Sequence, residues 1–206
     1  MLGSRVLLRP ASSATTSLRT YLYDVDHHGQ LFLSSTQHRT VATCYRDPTF
    51  LRTFYARLKR NEGGNDEAKQ LRKEGYEFVS PCMGEMNYVR PGRNASALVF
   101  QELHGRELVY AGDLHVPFDP TSLRVDAVTG YLFHPSPRPG RARDKGSPYG
   151  PYSLLRSSLV MERFADSLEL DDGRGGSFEY EGGRYGLGVL TEGDVYRRQD
   201  RHVRLL

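Results

Sequence analysis

Apolar segments in this chain are short, and turn-forming residues interrupt them every eight to twelve positions or so, the punctuation of an antiparallel meander. Tyr76–Ser80, Met86–Arg90, Ala97–Leu103 and Glu107–Ala111 read as strands, separated by Pro81, Pro91-Gly92 and His104-Gly105. Upstream, Tyr21–Val25 alternates like a strand, Asp26-His27-His28-Gly29 is turn chemistry, and Gln30–Leu33 reads as the return strand of a hairpin. His115–Phe118 and Gly130–His134 are expected as edge strands, the first kept short by Pro117 and Pro120. Leu154–Phe164 fits strand or helix and is expected as a strand. Asp171–Gly176 reads as a loop, and Phe178–Tyr180 with Arg184–Leu190 forms a hairpin around Glu181-Gly182-Gly183.

One helix stands out against this texture. Asp47 is suited to cap it and Pro48 to open it. Phe50, Leu51, Phe54, Tyr55 and Leu58 then recur at helical spacing on one face. Arg57, Lys59 and Arg60 are expected in its last turn, opposing the negative end of the dipole, and Asn61–Gly64 stops it. Residues 61–75 read as a loop with one exposed helical turn at Glu67–Lys73. Residues 135–151 carry Pro135, Pro137, Pro139, Pro148 and Pro151 among Arg138, Arg141, Arg143 and Lys145, which predicts a mobile loop outside the core. The expected fold is a single α+β domain over residues 20–206, mostly antiparallel sheet with one clear amphipathic helix.

Charge is unevenly placed. The chain has 206 residues and a formal charge of +3, with 28 basic and 25 acidic residues. Residues 1–19 hold Arg5, Arg9 and Arg19, and the first acid is Asp24, so the remainder carries 25 cations against 25 acids. A Ser/Thr-rich, Arg-bearing, acid-free opening has the composition of a mitochondrial transit peptide. Val6-Leu7-Leu8 is too short an apolar run for a secretory signal. Matrix residence is therefore expected. The neutral balance beyond the leader weakens a general nucleic-acid reading, although Arg accounts for 24 of the 28 cations. No apolar run approaches the roughly eighteen residues of a membrane-spanning helix. Two cysteines exclude a disulfide scaffold and a four-cysteine zinc site.

Candidate chemistry is sparse. Asp24, Asp26, His27 and His28 could ligate a divalent metal, but Asp-x-x-Gly is ordinary turn chemistry and no third ligand motif accompanies it. Cys44 and Cys82 could serve as nucleophile, ligand or redox pair; packing is the plainer role. Ser80–Glu85 with Asn87 and Arg90 is denser in polar groups than a turn requires. Glu85 and Arg90 could pair or hold an anion there, or form a simple cross-strand contact. Gly182–Gly188 lacks a phosphate-loop pattern and a Walker lysine. No catalytic set is recognisable from spacing, and no metal or cofactor can be assigned.

Several blocks, in order, resemble an uncharacterised eukaryotic family of small mitochondrial proteins, whose human member is known as an open reading frame on chromosome 8. These are Y-L-Y-D-V-D-H-H-G-Q-L-F-L at 21–33, T-C-Y-R-D-P-T-F-L-R-T-F-Y-A-R-L at 43–58 and F-V-S-P-C at 78–82, then P-F-D-P at 117–120, G-Y-L-F-H-P at 130–135 and R-S-S-L at 156–159. The likeness covers about residues 21–164 and stops short of Asp171. It implies mitochondrial residence and supplies no reaction. The loop at 61–75 is longer than the family pattern, and Met83-Gly84-Glu85 stands where the family usually has Gly-Arg-Glu. A weaker similarity, ending in Pro151-Tyr152 and Arg156, connects the chain to a bacterial domain of unknown function and again implies α+β architecture.

Three functions follow as expectations. The first is a non-enzymatic accessory module that binds a mitochondrial protein or assembly through Arg138, Arg141, Arg143 and Lys145. The second is a small-ligand binder or enzyme using Asp26, His28, Cys82, Glu85 and Arg90, which requires these five to converge in one pocket. The third is association with RNA or the mitochondrial ribosome.

Overall fold

The computed structural model describes residues 18–138, 146–171, 174–191 and 194. Strands β1 (Arg19–Val25) and β2 (Leu31–Leu33) form the expected hairpin. Asp26 Oδ1 accepts the N–H groups of His28 at 2.9 Å and Gln30 at 2.8 Å, so the aspartate closes the turn. Helix α1 (Pro48–Ala56) starts at its predicted cap, with the Asp47 carboxylate accepting the Phe50 N–H at 2.6 Å. It buries Leu51, Phe54 and Tyr55. The helix ends sooner than its apolar spacing suggests. Arg57 is its C-cap, and Lys59–Arg60 is strand β3, so these cations pair with a sheet rather than with the helix dipole.

Helix α2 (Asp66–Lys73) is more than one exposed turn. Asn65 caps it, its acids lie in the first turn and its bases in the last, and Ala68 and Leu71 are buried. Strands β4 (Phe78–Cys82) and β5 (Glu85–Pro91) follow as a hairpin, with Pro81 inside β4 rather than ending it. Next come β6 (Val99–Phe100), β7 (Glu102–His104), β8 (Glu107–Tyr110), β9 (Leu114–Pro117), β10 (Arg124–Val125) and β11 (Leu132–Pro135). Strand β12 (Tyr152–Leu155), helix α3 (Ser157–Arg163), β13 (Glu169–Asp171), β14 (Gly175–Tyr180) and β15 (Gly183–Val189) complete the described chain.

These strands form three sheets, ordered β2-β1-β5-β4-β3, β13-β14-β15-β10-β11-β12-β6 and β7-β8-β9. The architecture is α+β and mostly antiparallel, as expected, but the predicted meander is divided. Its first hairpin belongs to the first sheet. The 97–103 segment splits into β6 and β7, and β7-β8-β9 is a small antiparallel sheet of its own. Parallel pairings join distant segments: β1 with β5, β6 with β12, and β10 with β15. Strand β11 lies between β10 and β12, not at an edge. The 154–164 segment is not one strand, because the chain leaves β12 at Leu155 and turns into α3. Gly175 and Gly176, expected in a loop, start β14. A Cβ on them would strike the carbonyls of Leu187 and Glu169, so only glycine admits that close pairing.

Alternation along β1 explains the packing of the first sheet. Tyr21, Tyr23 and Val25 join the main core with Phe54, Phe78 and Val89. Leu22 faces the other side and packs with Leu71, Tyr76, Val79 and Tyr88 beneath α2. The main core continues through all three sheets to Phe133, Phe164 and Phe178. The two ends of the proline-rich segment are buried as well, contrary to the expected mobile loop. Ser136 and Tyr149 are buried, and the Tyr149 hydroxyl donates to the Tyr55 carbonyl at 2.8 Å. Residues 139–145 lie outside the described residues.

Candidate functional site

A cleft of about 290 Å³ opens where six separate stretches of chain meet. The β1–β2 turn supplies His28, Gly29 and Gln30, and the strap before α1 supplies Val41, Cys44, Tyr45 and Arg46. Leu51 and Tyr55 of α1 form an apolar wall with Ala111. Gln101 and Arg156 belong to the lining as well. The strap is hydrogen-bonded to β2 through Tyr45 N–H and the Leu31 carbonyl at 2.9 Å. Gln101 Nε2 donates to the Gly29 carbonyl at 3.2 Å, and a Cβ at Gly29 (φ 76°) would lie 3.0 Å from that of Val99. Glycine thus allows the turn to sit close against the second sheet.

The electrostatics of this cleft are unbalanced. Arg156 follows β12, and its backbone N–H donates to the Phe100 carbonyl at 2.9 Å. Its Nε is buried and has no hydrogen-bond partner among the described residues, and the same holds for Nδ1 of His28. Unpartnered buried polar atoms each cost about 1–3 kcal/mol. Burial pushes the His28 imidazole below its ordinary pKa, and the neighbouring His27 and Arg156 push the same way against the pull of Asp26. The His27 and His28 rings lie 3.9 Å apart. Glu102 at the rim is engaged by His104 at 2.7 Å. The site therefore offers a half-buried guanidinium and an uncharged imidazole beside an apolar wall.

Of the five residues predicted to converge, only His28 lines this cleft. Asp26 is spent on its own turn. The parallel register places Arg19 opposite Glu85 and Val25 opposite Pro91, so Cys82 and Glu85 stand about 20 Å from the 26–29 turn, at the other end of the sheet. Cys82 is buried and accepts Asn87 Nδ2–H at 3.3 Å. Arg90 does not pair with Glu85. It binds Asp24, and Glu85 lies 4.0 Å from Arg19, a residue counted with the leader that is the first of β1. Asp24 and Asp26 do not act together, because the strand ends between them. Among the described residues no group of three or more His, Cys, Asp and Glu side chains could hold a metal. Cys44 is a free thiol at the cleft wall, bonded to the Val41 carbonyl at 3.2 Å. Arg138 is exposed, and Arg141, Arg143 and Lys145 lie outside the described residues. Sequence reasoning missed Gln101 and Arg156 because long-range strand pairing alone brings them to the turn. Arg156, directly after the apolar β12 segment, was the one visible signal.

Fold and cleft together define an α+β domain with a small, basic, partly apolar recess. Residues 11–189 match the model of a family described as a domain of unknown function (DUF4505), and the chain belongs to that family. The match extends past Asp171 through the β14–β15 hairpin, beyond where the sequence resemblance stopped, and it starts at residue 11, within the acid-free opening stretch. No solved structure matches the chain. No helix among the described residues is long and apolar enough to cross a membrane.

Proposed function

We propose that this chain is a mitochondrial, non-catalytic binding module that holds a small molecule in the cleft between the β1–β2 turn and the start of α3. The carrying observation is the pair of buried, unpartnered polar atoms, His28 Nδ1 and Arg156 Nε, in the lining of one recess. A ligand that bonded to both would remove the desolvation cost they now impose. The volume is at the small end of the roughly 300–1,000 Å³ of ligand pockets, which suits a compact metabolite rather than a dinucleotide. The Arg-bearing, acid-free opening of the chain supports a mitochondrial address.

Two measurements test this reading. A panel of neutral, cationic and anionic metabolites should contain compounds that raise the melting temperature of the wild-type chain but not of Val41→Trp, in which an exposed strap residue fills the mouth of the cleft. A melting temperature unmoved by the whole panel would reject ligand binding. For the address, residues 1–19 fused to a fluorescent reporter should enter mitochondria; diffuse cytosolic signal would reject it.

A further inference from the structure

Resting on that reading of the cleft, we infer that its ligand is an oxyanion, a carboxylate or a phosphate carried on a compact apolar body, and that Arg156 is its anchor. Arg156 makes no ion pair among the described residues, whereas Arg39, Arg52, Arg90, Arg106 and Arg184 each contact a carboxylate. A half-buried guanidinium is stable next to an anion and poorly accommodated without one. Its Nε–H is a donor only. The neighbouring His28 Nδ1 supplies a second donor when its tautomer carries the proton there. Two unpartnered polar groups on residues that line one recess match an acceptor with several lone pairs.

The rest of the lining agrees. Glu102, the acid among the lining residues, turns to His104 at 2.7 Å and forms no ion pair with Arg156. Arg46 adds an exposed cation on the strap. Leu51, Ala111 and Tyr55 add apolar surface to the same lining, which fits a short hydrocarbon or ring better than a second charge. Carboxylate and phosphate share this chemistry, and separate probes distinguish them.

The test titrates the full chain with benzoate, benzamide and inorganic phosphate, following amide and imidazole NMR signals. Benzoate and benzamide have the same shape and differ in charge. Benzoate is expected to shift His28 and Gln101 saturably and to bind at least about tenfold tighter than benzamide, a difference of about 1.4 kcal/mol. Arg156→Met should lower benzoate affinity at least about tenfold and leave benzamide unchanged, with Arg156→Lys in between because it keeps the charge and loses the fork. Displacement of benzoate by phosphate would assign a phosphate ligand, and its absence a carboxylate. The Arg156 side chain makes no cap bond in α3, so these variants should retain the wild-type His134 signals that report folding. Benzamide binding as tightly as benzoate, or Arg156→Met leaving benzoate affinity intact, overturns the anion inference while the cleft reading stands. No saturable shift with any of the three probes also overturns it, and the wider panel with Val41→Trp then decides the cleft reading separately.

Discussion

Asp24 on β1 and Arg90 on β5 lie directly opposite each other in the parallel register and join through two hydrogen bonds, Nε to Oδ1 at 2.7 Å and Nη2 to Oδ2 at 3.2 Å. Arg39, from the strap, bonds to the same carboxylate, and Arg90 also lies over the Tyr76 ring at 4.7 Å. Burial would raise the Asp24 pKa, but the hydrogen bonds from Arg90 and Arg39 outweigh it and hold the carboxyl below its ordinary value. The aspartate thus ties the one parallel pairing of the first sheet to the segment that walls the cleft. Asp24→Asn leaves two cations around a neutral amide. Breaking a buried pair costs about 3–5 kcal/mol, and the partial exposure of both arginines lowers the expected loss to about 2–3 kcal/mol. Urea denaturation measures it, and a loss below about 0.5 kcal/mol would show that the triad is not structural.

The Tyr149 hydroxyl reaches from the proline-rich segment to the Tyr55 carbonyl at the C-terminal end of α1, which also accepts the Leu58 N–H at 3.1 Å. Tyr149→Phe keeps the ring and removes this buried hydrogen bond, while the carbonyl keeps its backbone donor. The expected destabilisation is about 0.5–1.5 kcal/mol with little change in the denaturant slope, read from equilibrium unfolding. An unchanged midpoint would mean that water replaces the hydroxyl at no cost.

The β4–β5 hairpin turns on two residues, Met83 (φ 55°) and Gly84 (φ 74°), both left-handed as this tight turn requires. Met83 is 61% exposed, so its side chain gains little packing to offset the strain of a Cβ in that region. Met83→Asn should therefore raise stability by about 0.5–1 kcal/mol. Thermal unfolding of the two chains side by side tests the sign; a lower melting temperature for the variant would reject this account.

These examples also show what was legible in the residues. The 21–33 hairpin, the Asp47-Pro48 helix start and the 178–190 hairpin are local: cap, turn and alternation lie within one short window. Parallel pairing is not local. Nothing near Asp24 announces Arg90, and nothing near His28 announces Arg156, because partners far apart along the chain share no spacing signal. For the same reason the clustered polar groups at 80–90 suggested a site that the register takes apart, sending Cys82 and Glu85 to one end of the sheet and the His28 turn to the other. Helix α3 escaped because it is short and Arg156 caps it with no side-chain bond, so the segment kept only its apolar content and looked like a continuation of β12. Tyr149 sits among prolines and glycines, a composition that favours loops, yet its ring fills the core.

His134 carries the pH prediction. It is 3% exposed on β11; the Asp119 N–H donates to its Nε2 at 3.0 Å, which places the proton on Nδ1, facing the Pro135 carbonyl at 3.0 Å. A second proton would point at the Asp119 N–H. Burial pushes the imidazole down to about 4, against the smaller upward pull of the Pro135 carbonyl and Asp119. In the unfolded chain it titrates near its ordinary value of about 6.5. Below that pH the unfolded state binds the proton first, so the stability contributed by the neutral ring is complete above about pH 6.5 and is lost as pH falls towards 4. A gap of about 2.5 pH units corresponds to about 3 kcal/mol. Replacing the imidazole by an amide, His134→Asn, should lower stability at pH 7.5 but flatten its decline between pH 6.5 and 4.5. Urea titrations of both chains across that window decide the matter: parallel curves would show that His134 is not the group whose protonation opens the fold.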